Sequence, residues 1–389
     1  MLNRQLIILC IILFGLGVIS QPVQYLFPKY VEDTLGSRLW LAGILRAIPI
    51  GLGGFSALVA GAVCDQLGRK RTFVAGIIGI FLVGLVFVSS NPAFILAVLC
   101  LQGVASGLKS SGGQSYLIGA VDTAALGRAS AAYFLSGILG QAFGKSIAGI
   151  LIQKHGYANF GWLAVGSGVL LAIFAVLVLP DQSGTNSINT LAFKKQSWWE
   201  TYSAIINRPR VVILAAIRFF STFSWGSLQF LLPLLMARLT DIQITGFFGG
   251  SSDVFACLCL LFTGVVCDRI GVIKPAIGSH LLIFFSLIGL MMVMQSAIGF
   301  FVAGVLASGA AWSLSTTMPR FIKQFLANDE TGRGVGLVHL AWSIGFLSGY
   351  LTASLLVNIN LRLPLFLGLV AVSISALLVF RLSRLDGSC

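Results

Sequence analysis

Residues 61–71 read GAVCDQLGRKR, from Gly61 to Arg71, at the end of one long apolar run and just before the next. An acid, two glycines and a cluster of three bases at such a junction mark a turn at a membrane face. A partial copy, GVVCDRIGVIK from Gly264 to Lys274, stands 203 positions later, again between two apolar runs. Gly, Cys, Asp and Gly recur in register, while the second copy loses most of the basic tail.

The runs on either side decide what surrounds the protein. Of 389 residues, 57% are hydrophobic and only 10% charged, against about 25% charged in soluble domains. A membrane-crossing helix needs about 20 apolar residues. Twelve such runs are expected, at 5–27, 38–63, 73–91, 93–116, 128–152, 161–179, 210–235, 243–266, 273–295, 297–318, 333–357 and 363–382. They do not show the alternating segments of a membrane barrel. The first continues well past a signal-peptide core and is followed by no small-residue cleavage site.

The formal net charge of +13 invites a nucleic-acid reading, and the placement of the bases answers it. With the N-terminus inside, sixteen of the 25 Lys and Arg residues fall on inner loops and helix ends, five on outer loops and four inside spans. That bias is the positive-inside rule; it orients the chain with both termini cytoplasmic and leaves no nucleic-acid role. None of the seven cysteines sits in an outer loop, so a disulfide framework or cysteine metal site is not expected.

The repeat extends beyond the loop. Gln24-Tyr25-Leu26-Phe27-Pro28 matches Gln229-Phe230-Leu231-Leu232-Pro233, and Gly127-Arg128 with Gly140 and Gly144 matches Gly332-Arg333 with Gly345 and Gly349, all at an offset of 205. A period of half a chain implies two six-span halves, 1–180 and 210–389. Residues 181–209 join them as a cytoplasmic linker, opening on the turn-forming Pro180-Asp181-Gln182-Ser183-Gly184 and carrying Lys194, Lys195, Trp198 and Trp199 as interfacial anchors.

The loop resembles the signature of the major facilitator superfamily, roughly G-x-x-x-D-x-x-G-R-[KR], on Gly61, Asp65, Gly68, Arg69 and Lys70. The resemblance covers nearly the whole chain. It implies an all-α integral membrane protein with twelve transmembrane helices in two pseudo-symmetric six-helix bundles, working by alternating access around a site near the bilayer midplane. It further implies that Asp65 latches onto the start of the eleventh span near Gly332 to Gly334, with Asp268 as the counterpart in the other half. Two departures count against a drug/proton antiporter: Gln141 stands where the fifth-span motif has proline, and Leu99 where a fourth-span arginine is usual.

Charges inside spans are costly and mark function by default. Here they are Arg46, Lys109, Lys145, Arg218 and Asp253, four bases and one acid, all on spans that line the cavity of the fold that the resemblance implies. The base excess calls for an anionic solute, with Arg46 and Arg218 as its ligands and Lys109 and Lys145 as further pathway residues. Pairing of Arg218 with Asp253, and snorkelling of the two lysines, are the structural alternatives. Trp225, Gln24 and Gln229 are added as substrate contacts; Asp253 and His339 are the candidate proton carriers.

Secondary transport of a small organic or inorganic anion is therefore expected, with efflux of lipophilic compounds by proton antiport as the alternative and a non-transporting receptor behind both. No enzyme and no cofactor are expected, because no nucleophile clusters with a base and no metal-ligand spacing occurs. The expected partners are the solute and the lipid bilayer, the expected state a monomer, and the expected location a bacterial inner membrane.

Overall fold

The computed structural model describes residues 4–36, 39–121, 126–181, 208–325 and 331–385. These form helices throughout: α1 (Arg4–Thr34), α2 (Leu39–Leu67), α3 (Arg69–Phe81), which runs on as a 3₁₀ segment (Leu82–Val88), and α4 (Pro92–Ala120). The next stretch, Leu126–Val178, is helical along its length except at Gly156, whose φ of 80° divides it into α5 (126–155) and α6 (157–178). α7 (Pro209–Leu239), α8 (Ile242–Ile270), α9 (Ile273–Met292), α10 (Ala297–Phe325), α11 (Thr331–Leu356) and α12 (Arg362–Leu385) follow. Among the described residues, twelve helices fall where the twelve apolar runs predict.

Ten helical stretches among the described residues are long and apolar enough to cross a membrane. One of them, Ala129–Val178, holds both α5 and α6, and α11 is not among the ten. Their outer faces carry large apolar side chains that a soluble protein would bury, such as Leu177, Phe262 and Met292, each more than 70% exposed. With lipid as solvent that is the stable arrangement, since tails are as apolar as the side chains they meet. The chain is a multi-pass integral membrane protein.

Local chemistry sets where the helices start and stop. The Asn91 side chain accepts from the amides of Ala93 and Phe94 with Pro92 in the first helical position, which starts α4. Asp241 accepts from the amide of Ile244 at 2.7 Å to start α8. At the signature loop Gly68 takes φ 88° while its amide bonds to the Cys64 carbonyl at 3.0 Å. Its repeat partner Gly271 takes φ 80° and bonds to Cys267 at 3.1 Å. A positive φ suits glycine alone among common residues, so both copies of the loop need their last glycine for the same turn.

The described chain falls into two compact units: the first takes residues 1–182 with 229–254 and 295–297, the second the remainder. In the first, α1 packs on α5 backbone to backbone. A Cβ on Gly140 would stand 2.1 Å from the Phe14 carbonyl oxygen, and one on Gly144 2.5 Å from that of Val18. In the second, α7 packs on α11 in the same way, with Gly345 over the Phe219 carbonyl at 2.4 Å and Gly349 over that of Phe223 at 1.9 Å. All four pairs obey the 205-residue offset, so the repeat in sequence is a repeat in packing. Without a hydrophobic drive between helices in lipid, such small-residue contacts are what bring them together.

Candidate functional site

Three of the sequence-predicted residues come together in the first unit. Arg46 of α2 donates from Nη2 to Oε1 of Gln24 on α1 at 2.8 Å. Gln24 in turn borders a small polar cavity between α1, α3, α4 and α5. Lys109 of α4 stands on its wall, with Gln21, Gln102, Ser106 and Gln141. The spacing of Gln102, Ser106 and Lys109, four and then three residues, puts them on one face of α4. Gly17 and Gly137 also line this cavity, and the floor is tight there: a Cβ on Gly17 would meet the Gly137 carbonyl at 2.5 Å.

Lys145 and Asp253 form the second cluster of this unit. The ammonium of Lys145 on α5 lies 2.7 Å from Oδ2 of Asp253 on α8. Each residue is only 5% exposed. The aromatic ring of Tyr25 on α1 lies 4.7 Å from the same ammonium, a cation–π contact. The helices come this close because Gly246 and Gly249 carry no side chain: a Cβ at Gly249 would stand 2.6 Å from the Tyr25 ring, and one at Gly246 2.4 Å from the Lys145 carbonyl. The acid's counter-charge is thus Lys145, and the pair of Arg218 with Asp253 weighed from the sequence gives way to it. Gln229 is half-buried on the part of α7 that packs in this unit. At the end of these helices Arg238 donates from Nε to Glu32 at 2.8 Å, and Lys29 also bonds Glu32, at 3.0 Å.

In the second unit Arg218 of α7 donates to the hydroxyl of Ser315 on α10 at 3.3 Å. Trp225 lies two turns further along α7, half-buried. His339 is exposed at one end of a ladder of rings on α11: it stacks on Trp342 at 5.4 Å, which stacks on Phe346 at 5.5 Å, which stacks on Tyr350 at 6.1 Å. Asp268, in the second copy of the loop, pairs with Arg320 of α10, which also bonds the Gly264 carbonyl at 3.1 Å.

Of the residues expected to form a latch, Gly68 closes α2, and Lys70 lies at the start of α3 with its ammonium 3.6 Å from Asp181. Arg69 is half-buried beside it. Gly61 and Asp65 belong to the last turns of α2 and Gly332 to Gly334 to the first of α11, stretches whose side chains lie outside the described residues, as does the linker with Lys194, Lys195, Trp198 and Trp199.

The structure adds residues that the sequence reading did not single out as site residues: Gln21, Gln102, Ser106, Tyr25 and Ser315. Gln21 with Gln24 gives a signal in hindsight, two amides three apart on an otherwise apolar helix. Gln102 gives none by itself, since its neighbours across the cavity come from other helices.

The family model of the Major Facilitator Superfamily matches residues 6–320. A cis,cis-muconate transport protein of Acinetobacter baylyi is 30% identical over 159 residues, 38% of this chain and 37% of that protein. A gallate transporter of Pseudomonas putida is 27% identical over 183 residues, 46% of this chain and 40% of that protein. The chain thus spans about two-fifths of the length of these curated relatives. Among solved structures, the nucleoside transporter NupG superposes with a TM-score of 0.75 at 14% identity, covering 98% of this chain and 99% of that one. A bacterial homologue of the iron transporter ferroportin, in an inward-facing state, gives 0.76 at 15% identity with the same coverage. At such identities the likeness is one of fold. With the repeated loop, the twelve helices and a family match across most of its length, the chain belongs to the Major Facilitator Superfamily.

Proposed function

We propose that this protein is a secondary transporter that moves a small organic or inorganic anion across a bacterial inner membrane by alternating access. The observation that carries this reading is the charge balance inside the spans. Asp253 is committed to Lys145. Among the described residues Lys109 has no ion-pair partner, and Arg218 has a neutral one, Ser315. A cation held in the membrane without a counter-ion is costly, and a bound anion removes that cost. Two relatives named for the transport of anions, muconate and gallate, support the same substrate class.

In this reading Arg46, Gln24, Lys109, Gln229, Arg218 and Trp225 contact the solute. Lys145 and Asp253 couple transport to a proton: when the carboxylate takes one, the pair loses its attraction and α5 and α8 can part. His339 is the second candidate proton carrier. The bundles are 1–180 and 210–389, and the signature residues Gly61, Asp65, Gly68, Arg69 and Lys70, with Asp268 in the second copy, form the latch that holds one end state.

The test is thermal stabilisation of the purified protein by muconate, gallate, sulfate and a lipophilic cation, repeated on Lys109→Met and Arg218→Gln. A ligand that binds only the folded state raises its apparent stability. An anion that stabilises the wild type should lose tenfold or more in affinity on one of the variants, since a hydrogen bond to a charged group is worth about 1.5–3 kcal/mol. Stabilisation by the lipophilic cation alone, unchanged in both variants, would replace the anion reading with efflux.

A further inference from the structure

The wall of the first-unit cavity has a chemistry that a simple anion does not use. Besides Lys109 it presents four carboxamides, those of Gln21, Gln24, Gln102 and Gln141, and the hydroxyl of Ser106. A carboxamide offers two N–H donors and a carbonyl acceptor. Gln24 spends its oxygen on Arg46, which leaves its NH₂ as the group available to the cavity and polarises it with the guanidinium charge. Gln102 is only 6% exposed, yet among the described residues its carboxamide makes no hydrogen bond within the protein. The same holds for the side chains of Gln21, Gln141 and Lys109. Gln21, Gln141 and Lys109 are half-buried, so these groups face the cavity rather than a dry interior. A cluster of three carboxamides around one ammonium is built for something that brings both donors and acceptors.

We infer that this cavity takes a small carboxylate bearing several hydroxyl groups. Its carboxylate accepts from the Lys109 ammonium and the Gln24 NH₂; its hydroxyls donate to the carbonyl oxygens of Gln21, Gln102 and Gln141 and accept from their NH₂ groups. An apolar acid of the same size would satisfy Lys109 and strand the amides. A lipophilic cation would meet a like charge and strand them as well. Sites that hydrogen-bond a hydroxyl reject the analogue without it far more strongly than apolar pockets reject a change of shape. This inference rests on the proposed anion transport and names the substrate class within it.

The experiment measures affinities of the purified full-length protein for 3,4,5-trihydroxybenzoate and benzoate, which share a ring and a carboxylate and differ only in hydroxyls, with a lipophilic cation as a third probe. The wild type should bind the trihydroxy acid at least tenfold more tightly than benzoate. Gln102→Leu with Gln141→Leu should bring that ratio close to one while benzoate affinity stays within about threefold. Lys109→Met should weaken both acids and keep the ratio. If the double variant does not fold, Gln141→Leu alone, at a half-buried position, should reduce the ratio at least threefold. Equal binding of the two acids by the wild type, or a ratio that the glutamine variants leave unchanged, overturns the hydroxylated-substrate assignment and leaves anion transport standing. If neither acid binds and the cation does, the anion reading itself falls.

Discussion

The Lys145 ammonium and the Asp253 carboxylate lie 2.7 Å apart, each in a residue only 5% exposed, with the Tyr25 ring as a third wall. Removing one partner of a buried pair leaves an uncompensated charge and costs about 3–5 kcal/mol, whereas replacing both by apolar groups is often neutral or stabilising. Lys145→Met and Asp253→Leu should therefore each lower the unfolding temperature in detergent sharply, and the double variant should recover most of the loss. It should also lose any dependence of transport on the proton gradient. A double variant as unstable as the singles would show that the charges are not each other's main partner.

The pair at the ends of the same helices should behave differently. Arg238 bonds Glu32 with its side chain about one-third exposed, and Glu32 keeps Lys29 as a second cation. Partly solvated pairs contribute about 0–1 kcal/mol. Arg238→Gln should shift the unfolding temperature by no more than a degree or two, and raising the salt concentration should reduce the shift further. A loss as large as that of Asp253→Leu would mean that the contact is closed to water.

The packing repeat sets a third expectation. A methyl group on Gly140 would sit 2.1 Å from the Phe14 carbonyl oxygen and one on Gly345 2.4 Å from that of Phe219, while Gly137, on the same helix as Gly140, has nothing within 4 Å. Both contacts are with backbone, so the helices must move apart. Overpacking costs about 1–3 kcal/mol, and loss of the close approach adds to it. Gly140→Ala and Gly345→Ala should each destabilise by that order and Gly137→Ala should not. Parallel losses at the two related sites would be visible in unfolding curves of the three single variants.

The fold was legible because its signals are positional. The loop at Gly61 to Arg71, its copy at Gly264, and the glycines at 140, 144, 345 and 349 need only spacing to be recognised. The site was less so because its chemistry depends on the rotation of each helix and on which helices touch. Asp253 and Arg218 lie on consecutive spans and invite pairing, yet α8 meets α5 where Gly246 and Gly250 let backbones approach, and the carboxylate finds Lys145 there. Gln24 and Arg46 stand out in the sequence for different reasons, one from the repeat and one from its charge; their hydrogen bond makes them a unit. Gln102 is one polar residue on a long apolar helix, and its meaning emerges only when α1 and α5 bring three more carboxamides to the same cavity.

The last expectation concerns the signature loop, where space and backbone strain can be separated. Gly68 has φ 88° and ψ 152°. A Cβ there would meet nothing within 4 Å, so Gly68→Ala is penalised by conformation alone. That region of the map is essentially restricted to glycine, and a residue forced into it costs on the order of 1–3 kcal/mol. Gly271 repeats the case with φ 80° and equally open surroundings. Gly51, within α2, also has nothing within 4 Å but carries no positive φ; alanine there should be neutral or stabilise by up to about 1 kcal/mol, by restricting the unfolded chain and favouring helix. The measurement is the unfolding temperature of the three alanine variants side by side. Losses at Gly68 and Gly271 with none at Gly51 would assign the loop glycines to the turn itself; three equal, small effects would show that the turn relaxes to accept a side chain, and the glycines would then need another reason.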